Sequence, residues 1–384
     1  MYSIDSFTGA DLPEGTLCLT FDDGPGEHTY AIGKYLAEQG IEATFFVVGK
    51  YAIEHPEILQ SIKDFGHLIA NHTFEHPDMP YYRSVNGDVQ DQILRTDTVI
   101  KRYISGDVTY FRSPYGKWSS EVASDLNSNL MATLNHIGPI RWDMGGIDCY
   151  YWQLDRSVED ALAEYHKEIK DKKKGIVLFH DDIADMDFVK PRNKTLQLLQ
   201  LLVPALKSEG YRFVGLGEIE SIKRASETRL LINLKTSKQR YVSIRAVEGQ
   251  DIFQSSERNI LAEFSMKVIS HGKVAIQSSS GAYLCVQPED ANLVLANKKT
   301  IENDCLFDLI PLNRNRFMLR AGSGNYLNFD REGRLAACAA YMRKSEIFTY
   351  LPINLPSQNS LSLAEQFSLL KKRALFIKSK LLQA

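Results

Sequence analysis

Short apolar runs alternate with longer amphipathic stretches over most of the first 217 residues. This alternation predicts parallel strands that are joined by crossover helices. The predicted strands cover residues 17–21, 43–48, 67–70, 109–112, 137–143, 176–180 and 212–216. The predicted helices cover about residues 27–39, 52–65, 86–104, 118–128, 157–172 and 194–209. Seven strands in roughly two hundred residues favour a (β/α) barrel over an open sheet, and such barrels gather their chemistry at the carboxyl ends of the strands.

From about residue 229 the pattern changes to short alternating runs between polar turns. A motif recurs there three times at intervals of about forty residues, which indicates a repeat architecture. In each unit an apolar residue precedes a tyrosine by seven positions and a phenylalanine closes the unit: Leu234, Tyr241 and Phe264; Ile276, Tyr283 and Phe307; Leu319, Tyr326 and Phe348. Three units of four short strands predict a β-trefoil.

Residues 356–384 have the pattern of an amphipathic helix. Apolar residues recur there in steps of three and four, and lysines and arginines lie between them. We expect this helix to dock on its own protein, with pairing to a partner or contact with a membrane surface as the alternatives.

Charge and hydropathy narrow the range of functions. The net charge of -3 divides into -12 for residues 1–228, +5 for residues 229–351 and +4 for residues 352–384. The basic part could sit on an anionic polymer or a membrane, but so modest an excess is typical of an ordinary solvated surface. No nucleic-acid partner is therefore predicted. No apolar run approaches the length of a membrane span, so no transmembrane segment is predicted either.

The N-terminus and the cysteines bear on the cell compartment. The first residues lack the basic start and the apolar stretch of a signal peptide, which favours either a cytoplasmic protein or a chain that is not the full precursor. The five cysteines, at positions 18, 149, 285, 305 and 338, form no CxxC pair. An odd and unpatterned set predicts reduced thiols and no disulfide framework.

Two adjacent carboxylates, Asp22 and Asp23, end the first predicted strand, and Gly24 and Pro25 then turn the chain. Neighbouring acids repel each other unless a positive group, such as a metal ion or an arginine, shares the site. The hypothesis is that one acid is a base and the other a metal ligand. The alternative is an ordinary surface turn, since Asp-Gly is common turn chemistry.

A histidine pair follows the third predicted strand. His72 and His76 stand at i and i+4, and on a helical turn both rings would face the same side. With one carboxylate they would make three protein ligands and leave open positions for water and substrate, which is the arrangement of catalytic zinc. The spacing alone is weak evidence, and Pro77 favours a short turn over a long helix.

Three later strand ends also carry polar residues. Arg112 stands just before a proline turn, where a guanidinium can hold a carboxylate by two hydrogen bonds; a surface salt bridge is the alternative. Asp143 and Asp148 lie among several aromatic residues, which suit either sugar rings or a core. His180 ends a buried strand, where it serves structure or acts as a general acid near neutral pH.

Five motifs in this order resemble the polysaccharide deacetylase family, also called carbohydrate esterase family 4 or the NodB-homology domain. The matching stretches are TFDDGP at 20–25, HTFEHP at 72–77, RSPY at 112–115, DCYYW at 148–152 and LFH at 178–180. The resemblance covers about residues 16–220 and implies a distorted (β/α)7-type barrel, in agreement with the alternation of strands and helices. The later repeat resembles the fascin-like type of β-trefoil and lacks the QxW signature of ricin-type trefoils.

The resemblance implies a metal-dependent hydrolase. Asp23, His72 and His76 would bind a divalent metal ion, usually zinc, with cobalt, nickel and manganese as alternatives. Asp22 would be the general base that takes a proton from the attacking water, and Arg112 would orient it. A metal ion in such a site lowers the pKa of the water and polarises the amide carbonyl.

The remaining motifs would complete the reaction. The backbone N–H of Tyr115 would stabilise the oxyanion, and His180 would protonate the leaving amine. Leu178 would wall a pocket for the acetyl methyl group. Trp142 and Trp152 would line the substrate groove.

The fourth motif departs from the family pattern. The family commonly ends it with Asp-Trp, whereas this chain has Tyr151 and Trp152. Asp148 is then the nearest acid to orient His180, and Asp143 is its rival. Since no metal ligand, base or acid is lost, we expect an active enzyme.

The expected reaction removes N-acetyl groups from N-acetylglucosamine units of a chitin-, peptidoglycan- or exopolysaccharide-type polymer and releases acetate. An O-acetyl esterase of a xylan-like glycan and an inactive glycan-binding protein are the alternatives. The expected domains are a deacetylase over residues 1–225, a β-trefoil over 229–352 and a helix over 356–384. The trefoil would be either a polysaccharide-binding module or a structural domain.

Overall fold

The computed structural model describes residues 2–106, 108–127, 134–227, 231–244, 252–255, 262–270, 272–313 and 316–352. The predicted helix at 356–384 lies outside the described residues. The chain divides into two compact units, the first formed almost wholly by residues up to 228 and the second chiefly by residues from 229 onward. No helix in the described part of the chain has the length and apolar character that crossing a membrane requires.

Strands and helices alternate in the first unit. Its strands are β1 (Tyr2–Phe7), β2 (Thr16–Asp22), β3 (Ala43–Val47), β4 (Leu68–Asn71), β5 (Val108–Tyr110), β6 (Asn135–Ile140), β7 (Met144–Gly145), β8 (Lys174–His180) and β9 (Arg212–Phe213). Its helices are α1 (Thr29–Glu38), α2 (Gly49–Glu54), α3 (Pro56–Asp64), α4 (Met79–Ser84), α5 (Val89–Ile100), α6 (Ser120–Asn127), α7 (Asp148–Gln153), α8 (Val158–Lys172), α9 (Thr195–Ser208) and α10 (Glu220–Glu227). The sequence pattern does not predict β1 or the helices α4, α7 and α10. Helices of six to eight residues are too short to show a clear helical period.

Local capping residues set several helix boundaries. Pro56 occupies the first turn of α3, so the single helix predicted over residues 52–65 is wrong: two helices meet at His55. Ser157 caps α8 by accepting a hydrogen bond from the backbone N–H of Asp160 at 3.1 Å.

The parallel strands of the first unit form a distorted barrel, so the predicted fold class is confirmed. One sheet has the order β4-β3-β2-β8-β7, with β9 beside β2, and the other has the order β1-β6-β5. A parallel bridge between Asn71 and Phe111 joins the end of β4 to the residue that follows β5. All of these strand pairs are parallel, as crossover helices require.

β2 lies at the centre of the larger sheet. All seven of its residues are buried, since β3 and β8 pair with its two edges and apolar side chains cover its faces. Phe21 stacks between Phe45 and Phe179, with ring centroids 4.8 and 5.5 Å away. The pairing of β2 with β8 aligns Asp22 with His180. The fold therefore brings the first and the last of the sequence motifs side by side.

The second unit is a β-trefoil, as predicted. Its described strands are β10 (Leu231–Thr236), β11 (Tyr241–Ile244), β12 (Ile252–Ser255), β13 (Glu263–Ser270), β14 (Lys273–Ser278), β15 (Tyr283–Gln287), β16 (Leu293–Lys298), β17 (Phe307–Asn313), β18 (Arg316–Ala321), β19 (Tyr326–Phe329), β20 (Leu335–Ala339) and β21 (Phe348–Pro352). Antiparallel pairing closes six of them into a ring in the order β10-β13-β14-β17-β18-β21. Three hairpins, β11–β12, β15–β16 and β19–β20, complete the three units. The repeated phenylalanines Phe264, Phe307 and Phe348 are buried in the core of the ring.

Two cysteines correct the prediction of reduced thiols. Cys285 on β15 and Cys305 in a short turn after β16 form a disulfide. They are 20 residues apart, and the β15–β16 hairpin reverses the chain so that this turn packs against β15. Sequence spacing does not reveal the pair, because the contact depends on how two strands fold together. Cys18, Cys149 and Cys338 are free.

Candidate metal centre and active site

The acid pair lies at the carboxyl end of β2, where the chain turns sharply. Asp22 is the last residue of the strand, and Asp23 follows it with a left-handed backbone (φ 80°). Asp22 Oδ1 lies 2.6 Å from Arg112 Nη1. Asp23 Oδ1 lies 3.1 Å from His76 Nε2. Both carboxylates are buried, so each needs a positive partner, and the turn gives them different ones.

Arg112 is fully buried and holds one oxygen of Asp22. Its guanidinium also donates to Thr20 Oγ1 at 3.0 Å and to the carbonyl oxygen of Ile140 at 3.1 Å. These contacts fix Asp22 Oδ1 in place. The other oxygen, Oδ2, lies 3.7 Å from His72 Nε2, so Asp22 presents a second oxygen to the histidine pair.

The two histidines lie in a loop and not on a helical turn. Thr73 and His76 have left-handed backbones (φ 70° and 63°), which an α-helix does not contain. Two backbone N–H groups of the loop donate to Gln92 Oε1 at 3.1 and 2.9 Å, and Thr73 N donates to Asn71 Oδ1 at 2.8 Å. The loop still brings the rings of His72 and His76 together, with centroids 5.0 Å apart.

Asp23, His72 and His76 form a cluster whose ligand atoms lie within 4.8 Å of one another. Asp23 Oδ1 is 3.1 Å from His76 Nε2 and 3.5 Å from His72 Nε2. Two ligands held about 2.1 Å from one ion in tetrahedral geometry lie about 3.4 Å apart, so these distances fit a single metal ion. Three protein ligands leave a coordination position for water or substrate, as in catalytic zinc sites.

Hydrogen bonds at the opposite ring nitrogen set the direction of both imidazoles. His72 Nδ1 lies 2.8 Å from the carbonyl oxygen of Arg112, and His76 Nδ1 lies 2.6 Å from Asp185 Oδ2. Since a carbonyl and a carboxylate only accept, each Nδ1 donates and each Nε2 is left to face the cluster. Metal-binding histidines are commonly held by such contacts.

The cluster attracts positive charge. Burial raises the pKa of Asp23, but His76 and His72 outweigh burial and hold that pKa well below its usual range. Burial lowers the pKa of His76, yet Asp23 and Asp185 raise it to about 10. The buried carboxylates thus favour a cation at this position, and a divalent ion would supply that charge.

His180 ends β8 and pairs with Asp148, the first residue of α7. Asp148 Oδ1 lies 2.7 Å from His180 Nδ1, and Asp148 Oδ2 accepts from His180 N at 2.7 Å and from Thr195 Oγ1 at 3.2 Å. Burial lowers the pKa of His180, but the charge of Asp148 raises it to about 9. Asp143 instead accepts from two backbone N–H groups, at 2.8 Å each. Asp148, and not its rival, therefore contacts His180.

Trp152 does not line a groove, which corrects the prediction. The residue is 0% exposed and lies in the hydrophobic core, because α7 turns the face that carries Asp148 and Trp152 inward. The indole N–H donates to Thr195 Oγ1 at 3.1 Å, and Thr195 in turn donates to Asp148. The tryptophan of the fourth motif thus supports the acid that holds His180.

The other predicted substrate residues lie near the cluster or near His180. Tyr115 follows β5 with a left-handed backbone (φ 58°), the residue is 54% exposed, and its ring centroid lies 4.7 Å from that of His76. Leu178 and Trp142 flank Gly146: a Cβ at Gly146 would lie 2.8 Å from Leu178 Cδ2 and 3.5 Å from Trp142 Nε1. Gly146 therefore packs closely against Leu178, because a larger residue there would clash with that side chain.

The sequence patterns single out no residue of segment 181–185, yet this segment contacts two of the candidate ligands. Ala184 N donates to Asp23 Oδ2 at 3.0 Å, and Asp185 Oδ2 lies 2.6 Å from His76 Nδ1. The only signal in the sequence is an excess of acids, DDIAD, directly after the last motif.

Both parts of the chain match models of known protein families. The family model "Polysaccharide deacetylase" matches residues 9–133, and the model "Fascin domain" matches residues 233–350. A chitooligosaccharide deacetylase of Sinorhizobium fredii is 34% identical over 203 residues, which are 50% of this chain and 86% of the relative. A peptidoglycan-N-acetylglucosamine deacetylase of Bacillus cereus is 28% identical over 209 residues, which are 52% of this chain and 66% of the relative.

A solved structure of a peptidoglycan N-acetylglucosamine deacetylase with a bound benzamide aligns with 56% of this chain and 91% of its own, at 24% identity and a TM-score of 0.45. The chain belongs to the polysaccharide deacetylase family, because its identity to the Sinorhizobium protein extends over most of that relative. The predicted family and the predicted class of hydrolase are therefore confirmed.

Proposed function

We propose that the first unit is a zinc-dependent N-deacetylase of N-acetylglucosamine units in a chitooligosaccharide-, chitin- or peptidoglycan-type polymer. One observation carries the proposal: the metal-ligand cluster lies beside a held carboxylate, Asp22, and a held imidazole, His180, which occupy paired positions on neighbouring strands. The substrates named for the relatives from Sinorhizobium fredii and Bacillus cereus support the choice of substrate class.

Asp22 acts as the general base. Arg112 holds its Oδ1, and Oδ2 lies 3.7 Å from His72 Nε2, on the side of the cluster. From there Oδ2 takes a proton from the water that attacks the acetyl carbon. Asp23 and the two histidines would hold zinc, which suits two imidazoles and one carboxylate and would lower the pKa of that water and polarise the carbonyl.

His180 acts as the general acid in the second half of the reaction. Asp148 holds Nδ1, so the other nitrogen, Nε2, is the one that faces the substrate. Because the pKa of His180 is raised to about 9, the imidazole carries a proton at neutral pH and gives it to the leaving nitrogen as the carbon–nitrogen bond breaks. The backbone N–H of Tyr115 stabilises the oxyanion in between. The products are acetate and a free amine.

Leu178 and Trp142 form the wall for the acetyl methyl group. They flank Gly146, where a Cβ would come within 2.8 Å of Leu178 Cδ2. We assign this function to residues 1–225 and propose residues 229–352 as a separate trefoil domain.

Acetate release tests the function. The purified chain is stripped of metal with a chelator, reloaded with zinc, and incubated with an N-acetylated chitin oligomer or with acetylxylan. We expect acetate from the chitin oligomer, loss of release without metal and recovery on reloading. Faster release from acetylxylan would favour the O-acetyl esterase, and no release from either glycan at full zinc occupancy would favour a glycan-binding protein.

A further inference from the structure

Asp185 contacts two parts of the candidate site at once, although no motif includes it. It lies in the segment that follows β8, and its side chain is 44% exposed. Its Oδ2 lies 2.6 Å from His76 Nδ1 and also accepts a hydrogen bond from the Tyr115 hydroxyl. One carboxylate oxygen thus joins loops that follow three different strands, β4, β5 and β8.

The contact with His76 sets the direction of a candidate ligand. The left-handed backbone of His76 (φ 63°) lies in a loop, so neither a helix nor a strand fixes its side chain. Asp185 can only accept, which makes Nδ1 the donor and turns Nε2 toward Asp23 Oδ1, 3.1 Å away. His72 differs, because a main-chain carbonyl, that of Arg112, holds its Nδ1. A substitution can therefore remove the support of His76 but not that of His72.

The contact with Tyr115 holds a strained residue beside the cluster. Tyr115 has a left-handed backbone (φ 58°), which costs free energy for a residue with a bulky side chain. Its ring lies 4.7 Å from the ring of His76, and its hydroxyl donates to Asp185. The same backbone carries the N–H that we propose as the oxyanion donor.

The segment that carries Asp185 is itself anchored to the site. The neighbouring Ala184 donates its N–H to Asp23 Oδ2 at 3.0 Å and accepts a hydrogen bond from the Tyr51 hydroxyl at 2.7 Å. Asp185 is therefore presented from a fixed backbone and not from a free loop end.

We propose that Asp185 is a positioning residue that aligns His76 Nε2 for the metal ion and holds Tyr115 beside it. The inference rests on the proposed metal site. Carboxylates that hold a metal-binding histidine contribute about 10- to 100-fold to metal affinity, so loss of Asp185 weakens zinc binding by about that factor.

The test is a zinc titration of the metal-free full chain against a chelating dye, which reports affinity without activity. We expect Asp185→Ala to weaken zinc affinity about 10- to 100-fold. Asp185→Asn keeps an acceptor oxygen for both partners and should recover most of the affinity. Asp187→Ala is the matched control, because Asp187 is 87% exposed and pairs with Lys190 at 3.0 Å; its affinity should equal that of the wild type.

Tyr115→Phe separates the two contacts of Asp185. It removes the hydroxyl alone, so zinc affinity should stay at the wild-type value. Asp185→Ala that binds zinc as tightly as the wild type, with its metal-free melting temperature unchanged, would overturn the inference and leave the proposed function standing. A wild-type chain that binds no zinc would overturn both.

Discussion

Two buried ion pairs lie at the ends of the neighbouring strands β2 and β8: Asp22 with Arg112, and His180 with Asp148. In the first pair a positive group supports an acid, and in the second an acid supports a positive group. Their nitrogen–oxygen distances are nearly equal, 2.6 and 2.7 Å. In each pair the partner that holds is buried more deeply than the partner that is held. An arginine beside a carboxylate keeps that carboxylate charged, so it can accept a proton. A carboxylate beside an imidazole keeps the imidazole protonated, so it can donate one. The same interaction would thus yield the proposed base on β2 and the proposed acid on β8.

Of the substitutions in these two pairs, replacement of His180 should lower kcat/KM the most. His180→Ala removes the proton donor, and we expect kcat/KM for the N-acetylated chitin oligomer to fall about 10²- to 10⁴-fold. An aryl acetate has a leaving group that needs no proton, so its hydrolysis should fall much less. Equal losses for the two substrates would show that His180 does not serve as the acid.

Asp148→Asn should act through the pKa of His180. That pKa is about 9 because the charge of Asp148 outweighs burial, so the acid is present below pH 9 and is lost as the pH rises through that value. Without the charge, burial lowers the pKa, and the alkaline limb of kcat/KM should move to lower pH. We expect a loss on the order of a hundredfold at pH 8.

Asp143→Asn is the matched control for that change, because Asp143 accepts hydrogen bonds from backbone N–H groups and not from His180. Its alkaline limb should stay in place. If the alkaline limb of kcat/KM moved in Asp143→Asn and not in Asp148→Asn, Asp143 would be the partner of His180.

Arg112→Lys should lower activity less, by loosening the orientation of Asp22. Lysine keeps the positive charge but cannot supply the planar set of donors that reaches Asp22, Thr20 and Ile140 together. We expect kcat to fall about tenfold with zinc content unchanged. An unchanged kcat would mean that Asp22 needs no fixed orientation.

Thr195→Val should have the smallest effect. It removes one of the hydrogen bonds to Asp148 and leaves the contact with His180 in place. We expect a loss of about threefold and a slight shift of the alkaline limb to lower pH. If the limb shifted as far as in Asp148→Asn, Thr195 and not the charge of Asp148 would set the pKa of His180.

Periodicity and turn chemistry predicted both folds, and the motifs predicted which residues come together. Asp23, His72 and His76 meet because they follow β2 and β4, two parallel strands that flank β3 in one sheet. Strand order predicts that these residues lie close together, since the carboxyl ends of parallel strands share one edge of the sheet.

The remaining features depend on contacts that no single stretch of sequence contains. Trp152 turns inward because α7, only six residues long, carries it on the same face as Asp148. Asp185 gains its place from a loop that crosses to His76, 109 positions earlier in the chain. The disulfide of the trefoil depends on a hairpin. Side-chain direction in short elements and in loops is set by packing, which periodicity does not report.

The most direct test of the account is the zinc content of two variants of the acid pair. The central claim is that Asp22 is the base, held by Arg112, and that Asp23 is the ligand, 3.1 Å from His76 Nε2. Asp22→Asn should bind one zinc ion with nearly wild-type affinity and lose most turnover, whereas Asp23→Asn should lose zinc. Loss of zinc in Asp22→Asn and retention in Asp23→Asn would contradict the claim.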